Sequence, residues 1–261
     1  CWVMMVVVTL RMLRTKAEAV TCVHTRIVQV IVFIGKMDDA QYSGPHALSD
    51  SFTFWLHNNL KEGSRSRRSK RKAKKFEASI KALANFETVE KFWFYFKHMP
   101  LPSTVFFNNL SEWGVHNDSG IEGFSVFRKG IQPTWEDPQN KRGGEFYFRY
   151  LSNNVQLFDY LREECVLAFI GETFDVDKNF ICGIRIVDKS FKISKVMYRF
   201  EVWFTDDTNE KLKEVTRSRF ESIVEEAILR YGKISCEHGF DKFSNNNVPT
   251  KLPVEHRKHS Y

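Results

Sequence analysis

No C-x-x-C pair occurs among the five cysteines, at 1, 22, 165, 182 and 236, and their number is odd, which argues against a disulfide framework or a thiolate metal site. They read as reduced thiols of the cytosol or nucleus, so the Asn-x-Ser matches at Asn109 and Asn117 are not expected to carry glycans. No apolar run approaches the ~20 residues of a membrane-spanning helix. Trp2–Leu10 and Ile27–Ile34 both fall short, and the first has no basic segment before it, so neither a membrane span nor a signal peptide is expected. Residues 1–45 are set aside as an extension without assigned function, disordered or foreign to the domain. No phosphate loop, Cys-His pair or metal-ligand spacing occurs either. A cofactor or metal is therefore not expected.

Excess charge is also scarce outside one stretch. Lys61–Lys75 holds nine Lys or Arg and one Glu, which leaves the rest of a chain of formal charge +7 close to neutral. Rich in Ser, Lys and Arg and lacking apolar periodicity, this stretch reads as a mobile insert: a solvated loop, a nuclear-import signal or an RNA contact.

What is present is aromatic. With 24 Phe and six Trp in 261 residues, the chain can bury one sizeable core, and residues 46–235 are expected to form a single domain followed by a polar tail, 236–261, frayed from Phe240. Ser51–Leu56, Ile181–Asp188 and Val196–Phe204 read as strands. In the last, Val196, Tyr198, Phe200, Val202 and Phe204 point one way, and Met197, Arg199, Glu201 and Trp203 the other. Thr88 can cap a helix over Val89–Met99, stopped by Pro100 and Pro102, with Phe92, Phe96 and Met99 inward and Val89, Trp93 and Lys97 on another face. A second helix spans Leu157–Ile170 with Gly171 after it. A third, capped by Asp206 or Asp207, runs to about Tyr231. Strands and helices at irregular intervals, without a βαβ rhythm, give an α+β class.

Between two apolar segments lies Ile131-Gln-Pro-Thr-Trp-Glu-Asp-Pro-Gln-Asn-Lys-Arg-Gly-Gly144. Pro133 and Pro138 stiffen it against helix, so Trp135 and Glu136 sit on a fixed loop, and Gly143-Gly144 turns the chain into the alternating run Glu145–Tyr150. An indole face beside a carboxylate suits a planar cation with donors on one edge, such as a guanine methylated at N7. Alone, the same stretch also fits a core tryptophan beside a solvated acidic turn.

The surrounding residues add to it. Phe127–Asp137 with Asn140–Gly144, Phe86–Trp93 upstream, and Ile170–Phe174 with Ile181-Cys182-Gly183 downstream resemble the cap-binding translation initiation factor 4E family in order and spacing. The resemblance implies a curved antiparallel sheet with three helices on its convex face and the ligand in its concave face. It implies a methylguanine held between Trp135 and the residue twelve before Thr88, here Phe76 where tryptophan is commoner. Glu136 then reads the guanine edge, and Trp203 touches the N7 methyl. Lys189 and Arg199 match phosphate ligands, whereas Glu145 stands where a third basic residue is expected, leaving Arg142 or the basic insert to compensate. His46, Val89, Trp93 and Glu164 match the docking face for a helical motif of the scaffold factor 4G or of 4E-binding inhibitor proteins. Ala47 and Glu163 depart from that pattern, the first from a proline and the second from an apolar residue. The expected ligand is capped mRNA, in the cytoplasm and also the nucleus, and the expected role is non-enzymatic: initiation, or repression by sequestering the cap. The alternative is a nucleotide- or cap-processing enzyme with Glu136, Asp137 or Glu172 as general base.

Overall fold

The computed structural model describes residues 46–58, 79–106, 121–152, 154–190, 197–237 and 251–259. The expectations for residues 1–45, the basic insert 61–75 and Phe76 therefore lie outside the described residues.

The described chain runs β1 (Ala47–Asn58), β2 (Ile80–Thr88), α1 (Val89–His98), α2 (Pro102–Phe106), β3 (Ile121–Arg128), β4 (Gly144–Tyr150), α3 (Val155–Ile170), β5 (Ile181–Asp188), β6 (Tyr198–Phe204), α4 (Glu210–Glu237) and β7 (Glu255–Lys258). The strands form one curved sheet in the order β2-β1-β3-β5-β6-β4-β7, every pairing antiparallel. Alternation along each strand sorts its residues between two faces. Phe52 and Phe54 of β1, Phe148 of β4, Ile184 of β5 and Phe200 of β6 enter a core shared with the long helices α1, α3 and α4. Aromatic rings dominate that core: Phe148 stacks on Phe200 with centroids 4.6 Å apart, and Phe54 stacks on Phe86 at the same distance.

Local chemistry accounts for the helix ends. At α1 the extended Thr88 accepts the Lys91 N–H through its Oγ1 at 3.2 Å, and Phe92, Phe96 and Met99 are buried, as expected. Asn154 caps α3 by accepting the Leu157 N–H at 2.9 Å. The cap of α4 differs from expectation. Asn209, not Asp206 or Asp207, accepts the Leu212 N–H at 3.1 Å, and the helix continues to Glu237. All of these residue types favour caps, and Asp206 is used one step earlier, closing a turn on the Thr208 N–H and hydroxyl at 2.9 and 2.7 Å.

The tail also departs from the expected fraying. Leu252 and Val254 are buried in the core, and Glu255–Lys258 pair with β4 in the register Tyr147↔Glu255 to Gly144↔Lys258. A strand of Glu, His, Arg and Lys has no apolar period to reveal it. It is held by backbone pairing and by charge, with His256 Nε2 2.7 Å from Asp207 Oδ1 and Glu255 accepting from the Tyr147 hydroxyl at 2.9 Å and from Arg149.

Candidate functional site

The loop between β3 and β4 is knotted on two side chains. Asp137 accepts the backbone N–H of Gln132 through one carboxylate oxygen and that of Gln139 through the other, both at 2.9 Å. Asn140, wholly buried, donates its amide to the carbonyls of Gln132 and Thr134 at 2.7 and 2.8 Å. These bonds fix the backbone on either side of Trp135, whose side chain is 36% exposed, so the indole is a plate set on a rigid loop. Glu136 beside it is exposed. Gly143 ends the loop where nothing larger fits: a Cβ there would fall inside the Phe204 carbonyl group.

Beyond the loop, on the sheet face turned away from the helices, one cross-strand row reads Phe127, Gly183, Trp203, Glu145, Arg257. Gly183 is required because a Cβ would enter the Phe127 ring, which stands edge-on to Trp203 with centroids 5.5 Å apart. Trp203 is 1% exposed and donates Nε1–H to Glu201 at 3.0 Å. Around this row the charges interlock. Arg185 and Arg199 reach Glu201 at 3.3 and 3.2 Å, Arg199 also pairs with Glu145, and Arg257 meets Glu145 at 2.7 Å. Arg199 lies flat over Tyr147, its guanidinium 3.8 Å from the ring centre. Lys189 pairs with Glu122 at 2.7 Å. Four cations thus share three carboxylates, which leaves the face with a surplus of positive charge for an anion.

The titrations of His57, Lys189 and Glu145 follow from their neighbours. Burial and then Arg185 and Lys189 hold His57 well below its ordinary 6.5, so it is neutral where it meets Ser125 Oγ at 2.7 Å. Lys189 is lowered by burial and by Arg185, against the pull of Glu122. Burial would raise Glu145, which is 0% exposed, but His259, Arg199 and Arg257 outweigh it and bring the carboxyl down to about 2. The His259 Nε2–Glu145 Oε2 separation of 3.8 Å makes that contact electrostatic, since it is longer than a hydrogen bond. A folded-state value below the unfolded 4.5 means that Glu145 contributes stability above about pH 4.5, and that this contribution fades as pH falls towards 2. Glu145→Gln should therefore be less stable than the parent at pH 6, with the gap closing between pH 4.5 and 2 in urea titrations. A gap independent of pH would show that the carboxylate is not held by these cations.

The structure thus brings Trp135, Trp203, Arg199 and Glu145 to one end of the open face, joined by two residues not anticipated from the sequence, Arg257 and His259. Arg257 lies 5.0 Å over the Trp135 ring, and His259 is in ring contact with both tryptophans. Trp203, expected to meet a ligand methyl, is covered in this arrangement. Lys189 and Arg199, expected as phosphate ligands, are engaged by carboxylates, while Arg142 is exposed. Of the candidate general bases, Asp137 serves the loop and Glu172 accepts from Arg128 at 3.4 Å.

On the helical face, the His46 carbonyl accepts the Val89 N–H at 2.9 Å and its ring meets Glu90 at 2.6 Å, so the chain entering β1 is tied to the start of α1. Val89 and Trp93 are half-buried, with Trp93 edge-on to Phe92 and Phe96. Glu164 is the fourth of the expected docking residues. It is buried and bonded to Arg230 of α4 at 3.1 Å, which makes it a brace between α3 and α4.

A single antiparallel sheet covered by helices on one side, with an indole-and-carboxylate loop at its open face, defines an α+β ligand-binding domain. The family model described as eukaryotic initiation factor 4E matches residues 47–248, and the chain belongs to that family. It is 30% identical to eukaryotic translation initiation factor 4E-1A of Danio rerio over 219 residues, 82% of this chain and 77% of that one. It is 30% identical to factor 4E-3 of Caenorhabditis elegans over 60% of this chain and 59% of that one. Among solved structures, that of Ascaris suum factor 4E-3 with an m2,2,7G cap superposes with a TM-score of 0.56 at 22% identity, over 82% of this chain and 92% of its own. A schistosome factor 4E solved with m7GpppG and 4E-BP gives 0.53 at 24%, over 69% and 84%. At these identities the superpositions speak for the fold.

Proposed function

We propose that this chain binds the 7-methylguanosine cap of mRNA without processing it and acts in translation initiation in the cytoplasm. The observation that carries the reading is Trp135, an exposed indole on a loop braced by Asp137 and Asn140, with Glu136 next to it and a cation-rich face beyond. A methylated guanine is a planar cation that stacks on such a plate, and its N1–H and N2–H both find an acceptor in one carboxylate. Phe76 supplies the opposing ring, Trp203 meets the methyl, and Lys189, Arg199 and Arg142 take the phosphates. Capture on immobilised 7-methyl-GTP, with release by soluble 7-methyl-GTP and not by GTP, tests the reading; passage through the resin would refute it.

A helical motif of a scaffold or inhibitor partner docks on Val89 and Trp93, beside His46. Trp93→Ala should weaken a partner-helix peptide by about 2 kcal/mol, as loss of a central aromatic anchor does, and leave cap affinity unchanged. Fluorescence anisotropy with a labelled peptide measures this, and unchanged peptide affinity would move the docking face elsewhere. A second reading, a repressor that holds the cap without recruiting the scaffold, is favoured by Glu163, which places a charge on α3 where an apolar contact is expected.

A further inference from the structure

The C-terminal segment Leu252–His259 has two sets of attachments. One set lies away from Trp135: Leu252 and Val254 are in the core, Glu255 is held by Tyr147 and Arg149, and His256 and Lys258, alternating with Arg257 and His259, reach Asp207 at 2.7 and 3.6 Å. Arg257 and His259, by contrast, enter the ligand face. The Arg257 guanidinium, a planar cation, lies over the Trp135 indole at 5.0 Å while meeting Glu145 at 2.7 Å. His259 is 4% exposed, lies near parallel to Trp135 at 26° with centroids 6.0 Å apart, and approaches Trp203 at 4.5 Å. Its Nδ1 carries a proton, because the partner at 2.8 Å is the Asn140 carbonyl, and its backbone N–H donates to the Gly143 carbonyl at 3.1 Å.

A stacked cation with an aromatic ring beside it is the chemistry proposed above for the methylated base, supplied here by the chain itself. We propose that Arg257 and His259 are an intramolecular competitor of the cap, seated on Trp135 and Trp203, and that the cap binds after they withdraw. The proposal rests on the cap-binding reading. The device suits a four-residue strand at a sheet edge, because few backbone bonds must break to free it while the core anchor at Leu252 and Val254 keeps the competitor close at hand. Apparent affinity is the intrinsic affinity multiplied by the fraction of molecules with the site open, so a tail seated in nine of ten molecules lowers it about tenfold.

The test compares the full chain with its Arg257→Ser, His259→Ser double variant, titrating 7-methyl-GTP against tryptophan fluorescence. The double variant should bind about tenfold tighter. A synthetic peptide of residues 251–261, added to the double variant, should restore weak binding, and the same peptide carrying both serines should not. Because removing Arg257 leaves Glu145 to Arg199 alone, a chain with only His259→Ser serves as a second, milder variant and should bind severalfold tighter. Equal affinity in all three chains would overturn the competitor while leaving cap binding intact. Weaker binding of the double variant with thermal stability unchanged would make Arg257 a phosphate ligand and also overturn it. Absence of 7-methyl-GTP binding in every chain would overturn the cap reading, and the competitor with it.

Discussion

Trp135→Ala should abolish retention on immobilised 7-methyl-GTP and leave the fold intact. The side chain is 36% exposed, and the loop that carries it is held by Asp137 and Asn140, not by the indole, so its removal empties no core position. What is lost is one stacking face, worth about 1–3 kcal/mol per base, or roughly 5- to 150-fold in affinity. Trp135→Phe should lie between, since a smaller ring offers a weaker cation–π partner. Titration with 7-methyl-GTP alongside a thermal scan separates the cases. Wild-type affinity in the alanine chain would exclude Trp135 from the site, and a collapse of the thermal midpoint would show it to be structural.

The second large effect is on stability and on the site together. Gly143→Ala sets a methyl group against the Phe204 carbonyl, and because both partners are backbone neither can swing aside. The strain falls at the junction where the loop enters β4, where Gly143 accepts the His259 N–H, and where β6 ends. Overpacking of this kind costs about 1–3 kcal/mol, and for a domain of this size each kcal/mol lowers the thermal midpoint by roughly 2–4 °C. Cap affinity should fall as well, because the loop end that positions Trp135 must shift. An unchanged midpoint would mean that the β4–β6 junction yields more easily than its packing indicates.

Much of this fold is legible in the sequence, for reasons that differ by element. The alternation in β6 by itself sorts Phe200 and Val202 from Arg199, Glu201 and Trp203, because the strand face turned to the core must be apolar. Pro133 and Pro138 announce a stiff loop, and the Thr88 cap announces α1. The charge partners cannot be read in this way, since Glu145–Arg199 and Glu122–Lys189 join residues far apart in the chain that meet only across the sheet. Glu145 illustrates this: as a sequence position it is a reversal of charge, and in the fold it is the anchor of Arg199 and Arg257. The final strand is hidden for a different reason. Glu255–His259 is polar throughout, and what orders it is an exposed sheet edge and a buried carboxylate supplied by β4. Glu164, which the resemblance places on the docking face, pairs with Arg230 of α4, a partner that only the packing of the two helices brings near.

Recognition of a methylated, positively charged guanine is the central claim, and calorimetric titration of the full chain with 7-methyl-GTP and with GTP tests it most directly. The two ligands carry the same phosphates and the same N1 and N2 donors, and differ only in the methyl group and the ring charge that Trp135 is placed to read. We expect 7-methyl-GTP to bind at least about tenfold tighter, the 1.4 kcal/mol or more that a cation–π stack supplies in a partly desolvated site. Equal affinities for the two, with both bound, would show a phosphate-binding face that does not read the base, and would contradict recognition of the methylated ring.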